Sequence, residues 1–280
     1  MDKKEKRRLR RQELRADARE HKVLFTFYIV IRLTVIGIMI PEIFNGNYNN
    51  VFLCVLTLVL FMIPSFVEKK IKIEVPDFLE IIILLFIFSA EILGELREYY
   101  LTFPYWDTML HTINGFLCAA IGLALINILN GSDRFALSLS PLFAAISAFC
   151  FSMTIGVIWE FFEFFMDYVF HTDMQKDTII NTISSVLLNP DGHNIAETIT
   201  VDSLTLNGIT FNGYIDIGLY DTMQDLFVNF IGATVFSVIG FFYVRHNGKS
   251  RIVDKLILRR KSDVKTAASA DAPQRATDSE

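Results

Sequence analysis

The sequence predicts an all-α fold: a polytopic membrane helix bundle of about six transmembrane helices, carrying one small external β-hairpin. Three observations lead there. Hydrophobic residues make up 52% of the chain and Phe alone occurs 26 times, a composition that excludes an ordinary soluble domain. The apolar residues gather in six runs, at 23–44, 51–67, 77–96, 107–129, 141–166 and 224–244, each near the ~20 residues that cross about 30 Å of hydrocarbon as a helix. Charge is pushed into tails and connections. The formal net charge of −5 therefore says less than its distribution, which is basic at the amino terminus and acidic in the long connection before the last run.

In chain order, residues 1–22 form a basic tail. Positions 2–22 hold ten Lys or Arg against five acids, with no Gly or Pro, which predicts a helix leading into the first span and a positive-inside anchor. Glu13, Asp17 and Glu20 interleave with the bases and argue against nucleic acid as a partner. The first apolar run follows this long charged segment without a small-residue cleavage site, the pattern of a retained signal anchor. Residues 23–244 form the six-helix domain. Lys and Arg concentrate in the amino-terminal tail, the Lys69/Lys70/Lys72 connection, the Arg134 connection and the tail after Arg245. The connections Asn45–Asn50, Arg97–Trp106 and 167–223 hold only Arg97 and Lys176. Alternate connections agree, which places both termini in the cytoplasm. Arg32 falls near the middle of the first span, where an ion pair with another helix, Glu91 first among candidates, or a place at the site would satisfy it.

Within the external connection 167–223, residues 198–213 alternate apolar and polar side chains around Asn207–Gly208, the favoured pair of a type I′ turn. A hairpin is expected there, and residues 173–188, with mixed helical periodicity, are expected along the membrane surface. Residues 245–261 interleave Arg245, Lys249, Arg251, Lys255 and Arg259–Lys261 with Ile252, Val253, Leu256 and Ile257, predicting a basic amphipathic helix against anionic lipid. Residues 262–280 are polar and read as a disordered cytoplasmic tail. The three cysteines lie inside apolar runs and form no disulfide or zinc pattern.

This topology brings polar residues to one depth. Glu91, Glu95 and Glu98 share a face at the outer end of the third span, and Asp107, His111 and Asn114 share one at the outer start of the fourth. Glu160, Glu163 and Asp167 end the fifth, and Asp221, Asp225 and Asn229 begin the sixth. Carboxylates so close need protons or a cation between them. Asp107, His111, Glu160, Glu163, Asp221 and Asp225 are the expected ligands of a divalent ion such as Mg²⁺, Mn²⁺ or Zn²⁺, with Glu91, Glu95, Asn114, Asn229 and Arg32 in support. A hydrogen-bonded, partly protonated network fixing helix register and a proton or solute pathway are the competing readings. Gly115, Gly122, Gly232 and Ala233 are expected where helix backbones touch. Tyr99, Tyr100, Tyr105, Trp106 and Trp159 fit an outer aromatic belt.

At these residues the chain resembles the YjdF-like family of bacterial multi-pass inner-membrane proteins. The matching pieces are Leu93–Glu95, Pro104–Asp107 with His111, Gly156 with Glu160 and Glu163, and Gly213–Asp225 with Asn229 and Gly232–Ala233. The resemblance implies the topology, a bacterial plasma membrane and which polar positions belong together, with no reaction attached. A fainter similarity links Asp107/His111, Glu163 and Asp225/Asn229 to VanZ-like envelope proteins, although the glutamine and arginine expected after Glu163 are missing. As an enzyme, the protein would be a metal-dependent hydrolase or transferase on a lipid-linked or envelope substrate, with Glu163 as general base. A transporter would need polar groups reaching the cytoplasmic half, and few are there.

Overall fold

The computed structural model describes residues 21–71, 73–130, 139–246, 248 and 250–260. The basic tail up to residue 20, the Arg134 connection and the tail from 261 onward lie outside the described residues. Helix α1 spans Lys22–Phe44, α2 Tyr48–Leu60, α3 Ile63–Ile71 and α4 Asp77–Phe88. A π-helical segment, Ser89–Leu96, continues α4, and the short α5 (Tyr99–Thr102) leads into α6 (Trp106–Asn130). Helix α7 covers Pro141–Phe170 and α8 covers Leu219–Arg245. Among the described residues, five helical runs are long and apolar enough to cross a membrane: Lys22–Phe44, Tyr48–Lys70, Trp106–Leu129, Pro141–Phe170 and Leu219–Arg245. The remaining expected span, 77–96, is helical throughout but changes from α to π after Phe88. The second run is interrupted at Phe61–Met62, because Pro64 lacks an N–H and its ring crowds the carbonyl four residues back.

Helices α6, α7 and α8 pack as one trio. Its core holds Leu117, Ala120, Leu123, Ala144, Ala148 and Phe236, with Phe116 edge-on to Phe236 at 4.9 Å. Small residues let the backbones meet: a Cβ on Gly115 would lie 2.2 Å from the Asn229 carbonyl oxygen, and one on Gly232 would lie 2.1 Å from that of Thr112. The expectation for these two glycines holds, while Gly122 instead faces the Phe151 side chain. A second cluster joins α1, α2, α4 and the π segment through Val35, Cys54, Phe61, Leu84 and Ile92. Helix α4 belongs to both clusters, since Leu79 packs with the trio. It is tied to α1 by His21 Nδ1 to Asp77 Oδ1 at 2.7 Å and by the Tyr28 hydroxyl donating to Glu80 Oε1 at 2.6 Å.

Three expectations are corrected here. Residues 173–188 form no α-helix and only a single 3-10 turn at Val186–Leu188: β2 (Thr178–Ile180) pairs with β7 (Tyr214–Asp216), and β3 (Thr182–Ser185) pairs with β4 (Glu197–Thr200), all antiparallel. The expected hairpin is present as β5 (Leu204–Leu206) and β6 (Ile209–Phe211), with Asn207 and Gly208 at φ 49° and 88°, the left-handed pair a type I′ turn requires. Beyond Arg245 no amphipathic helix forms among the described residues. Val253, Leu256, Ile257 and Leu258 are buried in the trio's core, and β8 (Arg259–Arg260) pairs with β1 (Ile73–Glu74), so the protein covers that apolar stripe itself. Arg32 makes no ion pair with Glu91. Its guanidinium stacks 4.7 Å from the Tyr28 ring centroid, a cation–π contact that answers the charge within α1.

Candidate functional site: a carboxylate and histidine cluster at one end of the trio

Helical spacing aims the central side chains. Asp107 and His111 are four residues apart in the first turns of α6, Asp225 and Asn229 four apart near the start of α8, and Glu160 and Glu163 three apart toward the end of α7. All sit at the end of the trio that bears the 171–218 connection. His111 is their centre. Its Nε2 lies 3.5 Å from Asp107 Oδ1 and 3.8 Å from Asp225 Oδ2, and its Nδ1 lies 3.8 Å from Glu160 Oε1. Asp107, His111 and Asp225 offer ligand atoms all within 4.8 Å of one another, and so do His111, Glu160 and Glu163.

Burial is deep: Asp225 is 1% exposed, Glu160 4%, Glu163 7% and His111 8%. Both carboxylate oxygens of Glu160 and both of Asp225 are shut from solvent without a hydrogen bond of normal geometry. Thr222 and Gln175 stand beside Glu160, and Asp107 beside Asp225, without closing that geometry. Glu163 differs, because the Trp159 indole N–H donates to its Oε1 at 2.8 Å. One turn deeper, Asn229 is 1% exposed, accepts from Asn114 Nδ2 at 3.5 Å, and fills the space left by Gly156, where a Cβ would lie 2.7 Å from its Nδ2. The two amides form a floor under the acids.

Residues 24–246 match a family described as a predicted membrane protein, DUF2238. The chain belongs to this family. No curated protein and no solved structure matches it, and the comparisons lend the VanZ-like similarity no support. The family match covers every residue of the cluster in this DUF2238 chain, together with the strand pairs between α7 and α8.

Not every expected residue joins the cluster. Asp221 sits one turn before Asp225, and its Oδ2 accepts the Lys176 backbone N–H at 2.7 Å. Asp167 accepts from Thr172 Oγ1 and Met174 N through Oδ1, both at 2.7 Å, and from Gln175 N through Oδ2 at 2.8 Å. These two acids strap residues 172–176 to the ends of α7 and α8. Gln175 adds a bond from Nε2 to Thr222 Oγ1 at 2.5 Å. Glu91 and Glu95 lie on the π segment outside both ligand groups, and Glu98, at φ 58°, has left the helix and their common face.

Three aromatic residues assigned to a belt have closer duties. Trp159 holds Glu163. Tyr100 is wedged on Gly94, where a Cβ would lie 2.4 Å from its Cε2. Burial, then the charges of Asp107, Glu95, Glu91 and Glu163, push the Tyr100 hydroxyl up from its ordinary value, so it stands as a neutral phenol beside the acids. The pairing of Gly94 with an aromatic six residues on is the one sequence signal for that contact. Trp106 also reaches inward, donating from Nε1 to the Ser89 carbonyl at 3.3 Å and locking α6 to the π segment.

Proposed function

We propose that this membrane protein binds a divalent cation through Asp107, His111, Glu160, Glu163 and Asp225, at the outer side of a bacterial plasma membrane, and acts in the cell envelope. One observation carries the proposal: four carboxylate oxygens, on Glu160 and Asp225, are buried around one imidazole without a hydrogen bond of normal geometry. Unpaired buried carboxylates are strongly unfavourable, and a bound cation offsets their charge. Carboxylates and an imidazole on facing helices are a recurrent way to hold an ion in a bundle core. The opposite end of the trio is closed by apolar residues, including Leu123, Ala144, Phe236 and Leu256, which favours a one-sided site over a conducting path. As a catalyst it would use Glu163 as base on a lipid-linked or envelope substrate.

Residues 1–22 and the bases beyond Arg245 serve as cytoplasmic anchors facing anionic lipid, and the YjdF-like resemblance agrees with the outward placement of the acids. Single cysteines at Asn47, Asn207 and Ser250 in a cysteine-free background check the sidedness. An impermeant maleimide applied to intact cells labels the first two only; labelling at Ser250 contradicts it. For the ion, melting of the detergent-purified chain is followed with Mg²⁺, Mn²⁺, Zn²⁺ or EDTA, since a ligand of the folded state raises the melting temperature with its concentration. His111→Ala and Asp225→Asn weaken the shift, whereas Glu98→Gln, exposed and outside the cluster, leaves it intact. Indifference to every ion and to EDTA would make the acids a hydrogen-bonded network that fixes helix register.

A further inference from the structure

Resting on that reading, we infer that the ion is a first-row transition dication seated on the Nε2 side of His111 with Asp107 and Asp225, while Glu160 faces Nδ1 and sets the ring when the ion binds. The imidazole offers two nitrogens in different directions, and the cluster divides between them. Asp107 Oδ1 and Asp225 Oδ2 stand at 3.5 and 3.8 Å from Nε2, and Glu160 Oε1 at 3.8 Å from Nδ1. A metal-bound histidine uses one nitrogen as ligand and donates the other N–H to a carboxylate or carbonyl, which fixes the tautomer.

The geometry suits the Nε2 side. Atoms bound about 2.1 Å from one ion lie roughly 3.0 to 3.4 Å apart, so the two separations from Nε2 need to close by roughly 0.1 to 0.8 Å. All three separations are too long for hydrogen bonds as they stand, so Glu160 too must close on Nδ1 before it accepts that N–H. Asp225 has no donor at either oxygen and is 1% exposed, and two carboxylates neutralise a dication, which matters at membrane depth. Glu163 has a donor already in Trp159, so it lines the site on the Glu160 side.

The metal class follows from the donors. Imidazole favours the Mn²⁺ to Zn²⁺ series, whereas Mg²⁺ prefers oxygen and retains several waters. The close contacts at Gly115, Gly156 and Gly232, with the Asn114–Asn229 pair, pack the three helices tightly beneath the acids.

The test uses the full chain in detergent with Co²⁺ as the visible-absorption probe, displaced by Zn²⁺, Mn²⁺ or Mg²⁺. Zn²⁺ is expected to displace it at concentrations at least ~100-fold below those Mg²⁺ needs. Glu160→Gln should keep the band shape and weaken binding by about 10- to 100-fold, whereas Asp107→Asn and Asp225→Asn should alter or abolish the band. The wild-type competition needs no variant to fold. Equal displacement by Mg²⁺, or a band changed by Glu160→Gln and kept by Asp225→Asn, overturns this assignment and leaves the cation site standing. Absence of binding by any of these ions overturns both.

Discussion

Replacing Gly232 with Ala adds one methyl group at the contact that sets the spacing of α6 and α8. The new Cβ would lie 2.1 Å from the Thr112 carbonyl oxygen and 2.9 Å from the Phe116 nitrogen. Carbon and carbonyl oxygen approach no closer than about 3.3 Å, so the helices must part by roughly 1.2 Å at that level. Both obstructing atoms are backbone, and neither can turn aside as a side chain would. Overpacking of this kind costs about 1 to 3 kcal/mol. Thr112 follows His111 in sequence, and Gly232 lies two turns beyond Asp225, so the displacement also widens the 3.8 Å separation of His111 Nε2 from Asp225 Oδ2. Gly232→Ala is therefore expected to lower resistance to SDS unfolding by that amount and to remove the ion-dependent rise in melting temperature, although it touches no ligand. Gly37→Ala on α1, with no atom within 4 Å of its Cβ, is the control and should change neither. A Gly232→Ala protein that unfolds with the wild type and keeps its ion-dependent shift would refute the reasoning.

Trp159→Phe removes the donor to Glu163 and is expected to cost about 2 kcal/mol in SDS unfolding, the range for leaving a buried acceptor unsatisfied; unchanged stability would show that the bond contributes nothing. Asp167→Ala removes three acceptor contacts, with Thr172, Met174 and Gln175, so amide exchange at Met174 and Gln175 should quicken by about 10- to 100-fold while bound metal is unchanged. Loss of metal instead would put the strap within the site. Gly208→Val forces a β-branched residue to φ 88° and should quicken exchange in β5 and β6 without shifting the melting of the spans. A global loss of stability would mean the hairpin supports the helices.

Much of the site was legible because helices place side chains by simple arithmetic. The pairs Asp107/His111 and Asp225/Asn229 lie at i, i+4, and the deduced alternation of spans brings their ends together without knowledge of a single contact. Gly115 and Gly232 were legible for the same reason. Asp167 and Asp221 share arcs with Glu160 and Asp225, and what separates them is the return of residues 172–176, whose backbone N–H groups claim their oxygens. That is a tertiary fact that no helical period encodes. The π segment depends on a shift in bonding, with Arg97 N reaching the Ile92 carbonyl at 3.0 Å, and on Tyr100 folding over Gly94. In the carboxyl-terminal segment, apolar residues among bases fit an amphipathic helix and a buried irregular strip equally well, and a two-residue pairing with Ile73–Glu74 decided between them. For 178–183 a signal was present: Thr178, Ile179, Ile180, Thr182 and Ile183 are all β-branched, a density that favours strands over a surface helix.

The claim that Glu160 and Asp225 are buried to meet a cation is tested most directly by the metal content of the purified chain. Wild-type protein and Asp225→Asn are loaded with Zn²⁺ or Mn²⁺ in detergent, freed of unbound ion, and analysed for metal per chain. Wild-type protein should carry about one ion per chain and Asp225→Asn far less, with both proteins eluting as the same folded species. A wild-type chain that retains no metal, or an Asp225→Asn chain that retains as much as wild type, would contradict it.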